Sequence, residues 1–365
     1  VPCRVEPYDA LLLVSFGGPE KPDDVLPFLR NVTRGRAIPP ERLEQVGEHY
    51  FRFGGRSPIN DQCRALRDAV EADFRAHGIG VDVYWGNRNW HPYLRDTLVA
   101  MADAGVRRAA CLLTSAYPSY SGCRQYRENL WDAAASLEDA PQLDRLRHYN
   151  SHAGFVNPFV DATAHALQDV PEGSRLVFVT HSLPAAMAAG SGPDGGAYER
   201  QHRQVAAEVA RRVGRSAWDL VYCSRSGAPR APWLEPDIND HLAALAGEGT
   251  PGVVVVPIGF VTDHMEVVYD LDTQARATAE RLGLPLARAA TPGTDPRFVA
   301  MVRDLLLERA ALERGDDRAD VDRSGNAWAD AAWDTCPAGC CPNPQGERPA
   351  LCGSAGGRPM RVGGP

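Results

Sequence analysis

The residues most able to do chemistry in this chain are a histidine that ends one apolar run and a line of acids that follows another. From Pro251 to Asp272, PGVVVVPIGFVTDHMEVVYDLD, an apolar run opens into a segment carrying Asp263, His264, Glu266 and Asp270. Glu266 and Asp270 stand four residues apart, so on a helix they share one face. Thr262 or Asp263 could cap that helix, and Asp263 with Glu266 also fits a capping box that only satisfies helix-end amides. His181 directly follows the run Leu176 to Thr180 and precedes Ser182-Leu183-Pro184. A neutral imidazole facing a carboxylate binds a divalent cation of moderate hardness, or passes protons, or does both.

Thiols form the other group. There are nine cysteines. Cys3, Cys63, Cys111, Cys123 and Cys223 are scattered, whereas Cys336, Cys340, Cys341 and Cys352 crowd one short Gly/Pro-rich segment. Cys111 and Cys223 lie in strand-like runs, and Cys63 falls on the helical stripe Ile59, Cys63, Leu66, Val70, Phe74, so these three read as core. The crowded thiols could close a tetrahedral site for zinc or an iron–sulfur group. With no secretory signal at the N-terminus, a disulfide framework is not expected.

The elements that must position these groups follow from periodicity. Tyr8 to Ser15 reads as a buried first strand ended by Phe16-Gly17-Gly18-Pro19, with a helix from Asp24 onward. Asn31 to Gly55 reads as a long basic-aromatic loop, partly helical, and long ordered loops tend to be functional. A helix from Ile59 to Ala76 follows, with Ser57 able to cap it. Strands at Val81 to Gly86 and Arg107 to Thr114 flank a helix at His91 to Ala104. Next come the tyrosine-rich loop Ser115 to Arg127 and a helix from Gly122 to Ser136. A second alternation begins near Arg175. Its strands are Leu176 to Thr180, Asp219 to Cys223, Val253 to Ile258 and Pro285 to Ala289. Helices at Tyr198 to Val213, Ile238 to Ala246 and Glu266 to Leu282 lie between them. Two βαβ alternations imply two parallel sheets, and in such sheets chemistry sits at the carboxyl ends of strands. His181 and Glu266 both fall there. Asp295 to Leu312 reads as a last amphipathic helix able to pack back on the first half, and beyond Gly315 the chain is an aperiodic tail. The expected division is therefore 1–165, 166–292, the helix 293–314, and a Cys-rich tail 315–365.

A net charge of −8 and a pI near 5.7 argue against a nucleic-acid partner, since phosphate neutralisation supplies most of that affinity. No apolar stretch approaches the roughly 18 residues of a membrane span. The expectation is a soluble, cytoplasmic protein.

Four segments in order, VSFGGPE at Val14 to Glu20, GGRSPIN at Gly54 to Asn60, THSLP at Thr180 to Pro184 and GFVTDHMEVVYDLD at Gly259 to Asp272, closely resemble the ferrochelatases, which insert ferrous iron into a porphyrin. The resemblance runs from Tyr8 to Leu312. It implies two similar Rossmann-like, chelatase-type α/β domains, each with a four-stranded parallel sheet flanked by helices, and a porphyrin cleft between them. It also implies that His181 and Glu266 handle the Fe2+ substrate and the pyrrole protons, with Asp270 extending an acidic conduit. Likeness to the short Gram-positive members puts the propionate-binding positions on Arg34, His49, Tyr50, Ser57 and Tyr126. Where some members carry a tyrosine able to ligate iron, this chain has Phe16, which cannot. The short form resembles the branch that uses coproporphyrin III, whose product passes to a later enzyme of heme synthesis. A protoporphyrin IX ferrochelatase, a cobalt chelatase, and a tetrapyrrole carrier without turnover are the alternatives.

The resemblance also suggests a 2Fe-2S cluster held by one internal cysteine, Cys123, and three near the C-terminus. The expected set is Cys123, Cys336 and Cys352 with one of Cys340 and Cys341, the other being spare. A zinc site or an unstructured tail are the competing readings.

Overall fold

The computed structural model describes residues 3–35, 38–226, 231–316, 328–329, 333–337, 339–352, 354–355 and 358–359. In the first half these form β1 (Ala10–Ser15), α1 (Pro22–Val32), α2 (Pro40–Phe51), α3 (Ile59–Ala76), β2 (Asp82–Asn87), α4 (Leu94–Asp103), β3 (Arg108–Leu113), α5 (Gln125–Ala135) and β4 (Gln142–Arg145). After α6 (Ala153–Ala166) the second half runs β5 (Arg175–His181), α7 (Ala185–Ala189), α8 (Ala197–Arg212), β6 (Trp218–Cys223), α9 (Ile238–Gly247) and β7 (Val253–Val256). It continues through α10 (Met265–Val268), α11 (Arg276–Leu282), β8 (Leu286–Arg288) and α12 (Pro296–Arg314).

The first sheet has the order β2-β1-β3-β4 and the second β6-β5-β7-β8, with every pairing in both parallel. Leu, Val and Ala dominate β1, β5 and β7 because both faces of these central strands are covered. Leu11 and Leu13 of β1 share a core with Leu176 and Phe178 of β5, and this core passes through Phe155 and Phe159 of α6 and Phe298 and Val302 of α12. Outward-facing Leu12 of β1, and Val177 and Val179 of β5, pack into separate outer layers.

In each sheet the chain order reverses between two central strands, β1 and β3 in the first and β5 and β7 in the second. Crevices open outside the carboxyl ends of strands at such switch points. Helix α12 packs on α6 and on α3 of the first half. Arg303 reaches Asp73 at 2.7 Å, and the buried pair Arg147–Glu308 meets at 2.7 Å.

Several elements differ from the sequence expectation. The stretch from Asn31 to Gly55, read as a partly helical loop, has α2 as its helical part, started by Pro40 at its first position and Glu41 in its first turn, a combination that favours helix initiation. β7 stops at Val256 because Pro257 has no N–H for the ladder. The single helix expected from Glu266 to Leu282 is α10, a π-helical turn at Asp270–Ala275, and then α11. The expected helix from Gly122 likewise opens with a π turn at Tyr120–Arg124 before α5. β4 and α6 carry too weak a pattern to be read locally. β4 is QLDR with one apolar residue, and α6 is interrupted by Pro158.

Candidate functional site

Strand β5 delivers His181 and α10, reached by the loop after β7, delivers Glu266, on either side of the second sheet's switch point. Gly259 makes this possible: a Cβ there would stand 2.7 Å from Thr180 Cβ and 2.8 Å from its Cα, so only glycine lets the loop pass the end of β5. Nε2 of His181 lies 3.2 Å from Oε1 of Glu266. Its Nδ1 meets the Ser182 carbonyl, which requires an N–H there and leaves Nε2 as the working nitrogen. Burial opposes the imidazolium, but the Glu266 carboxylate outweighs it and raises His181 to about 9. Burial likewise opposes the Glu266 charge, and the facing imidazolium brings that carboxyl down to about 2. At rest the two form an ion pair.

The capping box does not form. His264 caps α10, its Nδ1 accepting from Glu266 N at 3.2 Å. Asp263 is turned instead to Arg288 at 3.1 Å and Thr291 at 3.0 Å. The Glu266 side chain is thereby free for His181.

Asp270 sits at the start of the π turn. Burial raises its carboxyl to about 7, against a lowering hydrogen bond from Ser224, and Glu266 adds to the rise. Ser224 follows β6 in the left-handed region, with φ of 64°, a conformation that costs a non-glycine residue energy and often marks functional sites.

From the first half, His49 of α2 stacks on Tyr269 at 3.9 Å between ring centroids. Gln62 of α3 accepts from Asp263 N at 2.8 Å, so α2 and α3 line the cleft opposite the acidic segment. The Tyr50 hydroxyl is pushed upward by burial and by the charges of Glu266 and Asp270. Tyr126 lies buried under the Arg88 guanidinium, 4.7 Å from the ring centroid. Tyr50, Tyr126 and His49 are thus drawn toward the His181–Glu266 pair. Arg34 is exposed at the end of α1, and Ser57 is buried with its hydroxyl accepting from Ile59 N at 3.4 Å. Phe16 joins the same wall, 5.5 Å beneath Arg88. Arg88 and Ser224 escaped the sequence reading. Their one local signal is that each directly follows a strand, β2 and β6.

A model of the ferrochelatase family matches residues 8–310. The chain belongs to the ferrochelatase family. Among proteins similar to it is the coproporphyrin III ferrochelatase of Streptomyces coelicolor, 58% identical over 366 residues that span 95% of this chain and 96% of that protein. The coproporphyrin III ferrochelatase of Frankia alni is 60% identical over 312 residues, covering 82% of this chain and 79% of the relative. Among solved structures, SirB from Bacillus subtilis with Fe3+ superimposes with a TM-score of 0.51 at 14% identity, covering 86% of this chain and 99% of SirB. That likeness concerns the chelatase fold. The family membership makes this chain a metal chelatase, and no described helix is long and apolar enough to cross a membrane.

A second cluster lies on the outer layer of this ferrochelatase's first sheet. There Cys123 packs with Cys336, Cys340 and Cys341. Cys336 hydrogen-bonds Cys123 and Cys340, and Cys340 lies 3.8 Å from Cys341. Those S–H donors hold Cys336 well below an ordinary thiol, while Cys123 and Cys340 are pushed up. Cys352 packs against the same layer with its thiol donating to the Leu143 carbonyl at 3.3 Å, and Cys340 and Cys341 both join the chain of thiols. Among the described residues, no group of three or more His, Cys, Asp or Glu is arranged to hold a metal ion. The thiols are linked in a chain, not gathered about a point. The Gly192 N–H donates to Cys341 Sγ at 3.2 Å, and the neighbouring Ser191 hydroxyl accepts from Tyr198 N at 2.8 Å. The Tyr198 hydroxyl in turn donates to the His181 carbonyl at 2.9 Å.

Proposed function

We propose that this ferrochelatase inserts Fe2+ into coproporphyrin III at the His181–Glu266 pair, giving Fe-coproporphyrin III for heme synthesis in the cytoplasm. The observation that carries the reading is Nε2 of His181 aimed at Glu266 from 3.2 Å, across the switch point of the second sheet. High identity to relatives named for coproporphyrin III supports the choice of ring.

Metallation removes two pyrrole protons and delivers a dication, so the site must accept the first and tolerate the second. At rest Nε2 of His181 carries a proton stabilised by Glu266. Ferrous iron drawn to the Glu266 carboxylate competes with that proton, and its departure leaves a neutral imidazole able to take a pyrrole proton. Asp270, titrating near neutrality, receives protons along the acidic line and passes them toward Ser224 and solvent. Propionates are met by Arg34, His49, Tyr50, Ser57 and Tyr126, with Arg88 added from the structure. A guanidinium binds a carboxylate with two parallel hydrogen bonds.

By resemblance to the family, Cys123 with thiols of the tail segment would hold a 2Fe-2S cluster; the donors are of the right softness, but among the described residues they stand in a chain and are not arranged as a ligand set. Four buried thiols and buried arginine donors without acceptors suit an anionic sulfur-rich group. Such a cluster, if held there, would supply one-electron redox chemistry and a covalent staple for the tail.

The test is loss of free-porphyrin fluorescence on adding Fe2+, with coproporphyrin III and protoporphyrin IX offered to the wild type and to His181→Ala. Faster metallation of coproporphyrin, lost in the variant, is expected. Preference for protoporphyrin would reassign the substrate, and tight binding without metallation would indicate a carrier.

A further inference from the structure

The His181 carbonyl lies past the end of its ladder. β7 pairs with β5 as far as Phe178 opposite Val256, and beyond it the Gly259 N–H reaches the Val179 carbonyl at 3.2 Å. Carbonyls two residues apart on a strand point the same way, so that of His181 faces the side where β7 has already stopped, and an inward carbonyl without a donor is costly. The Tyr198 hydroxyl supplies the donor from 2.9 Å. On the other edge of the same peptide the Ser182 N–H donates to the Cys223 carbonyl of β6 at 2.8 Å. Tyr198 and β6 thus hold the plane between His181 and Ser182 from both sides. That plane aims the imidazole at Glu266, since its Nδ1 is tied to the next carbonyl.

A buried chain stands behind this contact. The Tyr198 hydroxyl is also 2.8 Å from Thr180 Oγ1, which is 2.9 Å from Nε2 of His202, whose Nδ1 is 2.7 Å from the Tyr198 carbonyl. Tyr117, from the tyrosine-rich loop after β3, stacks on the His202 ring with 3.5 Å between centroids. Thr180, Tyr198, His202 and Tyr117 are all buried. Counting protons assigns the directions. A carbonyl only accepts, so Nδ1 of His202 carries the N–H. Burial keeps the ring neutral, bringing it down to about 3, so Nε2 accepts from Thr180. With its own proton committed there, the Thr180 oxygen accepts from Tyr198. One phenol proton is therefore shared between the Thr180 hydroxyl and the His181 carbonyl.

We propose that Tyr198 is a positioning residue for metallation, its hydroxyl proton fixing the His181 carbonyl and through it the aim of Nε2 at Glu266, with Thr180 as the competing acceptor. The inference rests on the reading of the His181–Glu266 pair above. A purely structural role for the buried chain is the competing account. The two accounts differ in what each hydroxyl does. Removing that of Tyr198 frees the His181 peptide, whereas removing that of Thr180 breaks the same chain yet leaves the phenol proton wholly to the His181 carbonyl.

The experiment compares the whole wild-type chain with Tyr198→Phe and Thr180→Val. His181–Ser182 is the only His-Ser step in the sequence, so protein carrying 13C-carbonyl histidine and 15N-serine reports that carbonyl alone by NMR. A hydrogen-bonded carbonyl resonates downfield of a free one. The expected result is an upfield move in Tyr198→Phe and a downfield move in Thr180→Val. In iron insertion, Tyr198→Phe should lose about tenfold in kcat with KM for coproporphyrin III within about twofold of wild type, while Thr180→Val should keep kcat within about twofold although it melts earlier. The Thr180→Val arm decides even where Tyr198→Phe does not fold, since a carbonyl that fails to move downfield there overturns the inference. A folded Tyr198→Phe with unchanged kcat, or equal losses of kcat in the two variants, also overturns it and leaves the proposed function standing. A wild type that metallates neither coproporphyrin III nor protoporphyrin IX overturns the proposed function, and the role in metallation with it.

Discussion

Ser224, held in the left-handed region at φ of 64°, gives its hydroxyl to the Asp270 carboxylate, an acid that burial has raised to about 7. The pair joins the end of β6 to the π turn behind Glu266, so a strained residue and an acid raised toward neutrality sit at the end of the acidic line away from His181.

Asp270 is therefore expected to divide stability from activity. Its folded value lies above the ordinary one, so the fold loses stability as pH rises from the ordinary carboxyl range to about 7, and the cost stays constant above that. Asp270→Asn should stabilise the protein above pH 7 by roughly 2 kcal/mol, after discounting for partial exposure. The gain should vanish near pH 4. Iron insertion by the same variant should lose its inflection near pH 7. Denaturant melts and rate profiles across pH test both halves.

The high value of His181 depends on Glu266. Because it is raised, its stabilising effect is complete below the ordinary histidine range and is lost as pH climbs through about 9. In Glu266→Gln the carboxylate is gone and burial remains, so the imidazole should titrate below 6.5, and turnover should fall by about 10²–10⁴. Histidine-labelled NMR titration decides this; a His181 that still titrates near 9 would break the proposed link.

Gly259→Ala should damage the site from outside it. The added methyl meets Thr180 Cβ at 2.7 Å and Cα at 2.8 Å, next to His181. Overpacking of this kind costs about 1–3 kcal/mol, and the displaced strand end should lower kcat more than it raises KM for porphyrin. Thermal unfolding and steady-state rates on purified variant provide the check.

Cys352→Ser should keep iron and sulfide content, because that thiol donates to the Leu143 carbonyl. Cys123→Ser should lose both, because Cys123 is the body's thiol in the chain that reaches Cys341. Elemental analysis with sulfide determination tests the pair, and equal loss in the two variants would restore Cys352 as a ligand.

Much of this was readable along the chain. The apolar runs of β1, β5 and β7 declared buried parallel strands, since covering both faces removes any alternation. Strand ends then marked His181 and Glu266, and the order of four segments carried the resemblance to the ferrochelatases. Weak local patterns hid β4 and α6, which exist because β3 and the shared core supply partners that their own residues do not announce. The π turns at Asp270 and Tyr120 were also invisible, because a shifted hydrogen-bond register leaves composition unchanged.

Sequence determined which residue types were available: an imidazole, three acids, a run of thiols and the glycine that lets two strand ends meet. Only the tertiary structure decided their pairings. It gave Glu266 to His181 by turning His264 into the cap and Asp263 toward Arg288. It also linked Cys341 to Cys336 through Cys340 and turned the Cys352 thiol toward a carbonyl. The reason is that charge pairing, burial and orphaned donors depend on distances between segments far apart in the chain, which spacing along it does not contain.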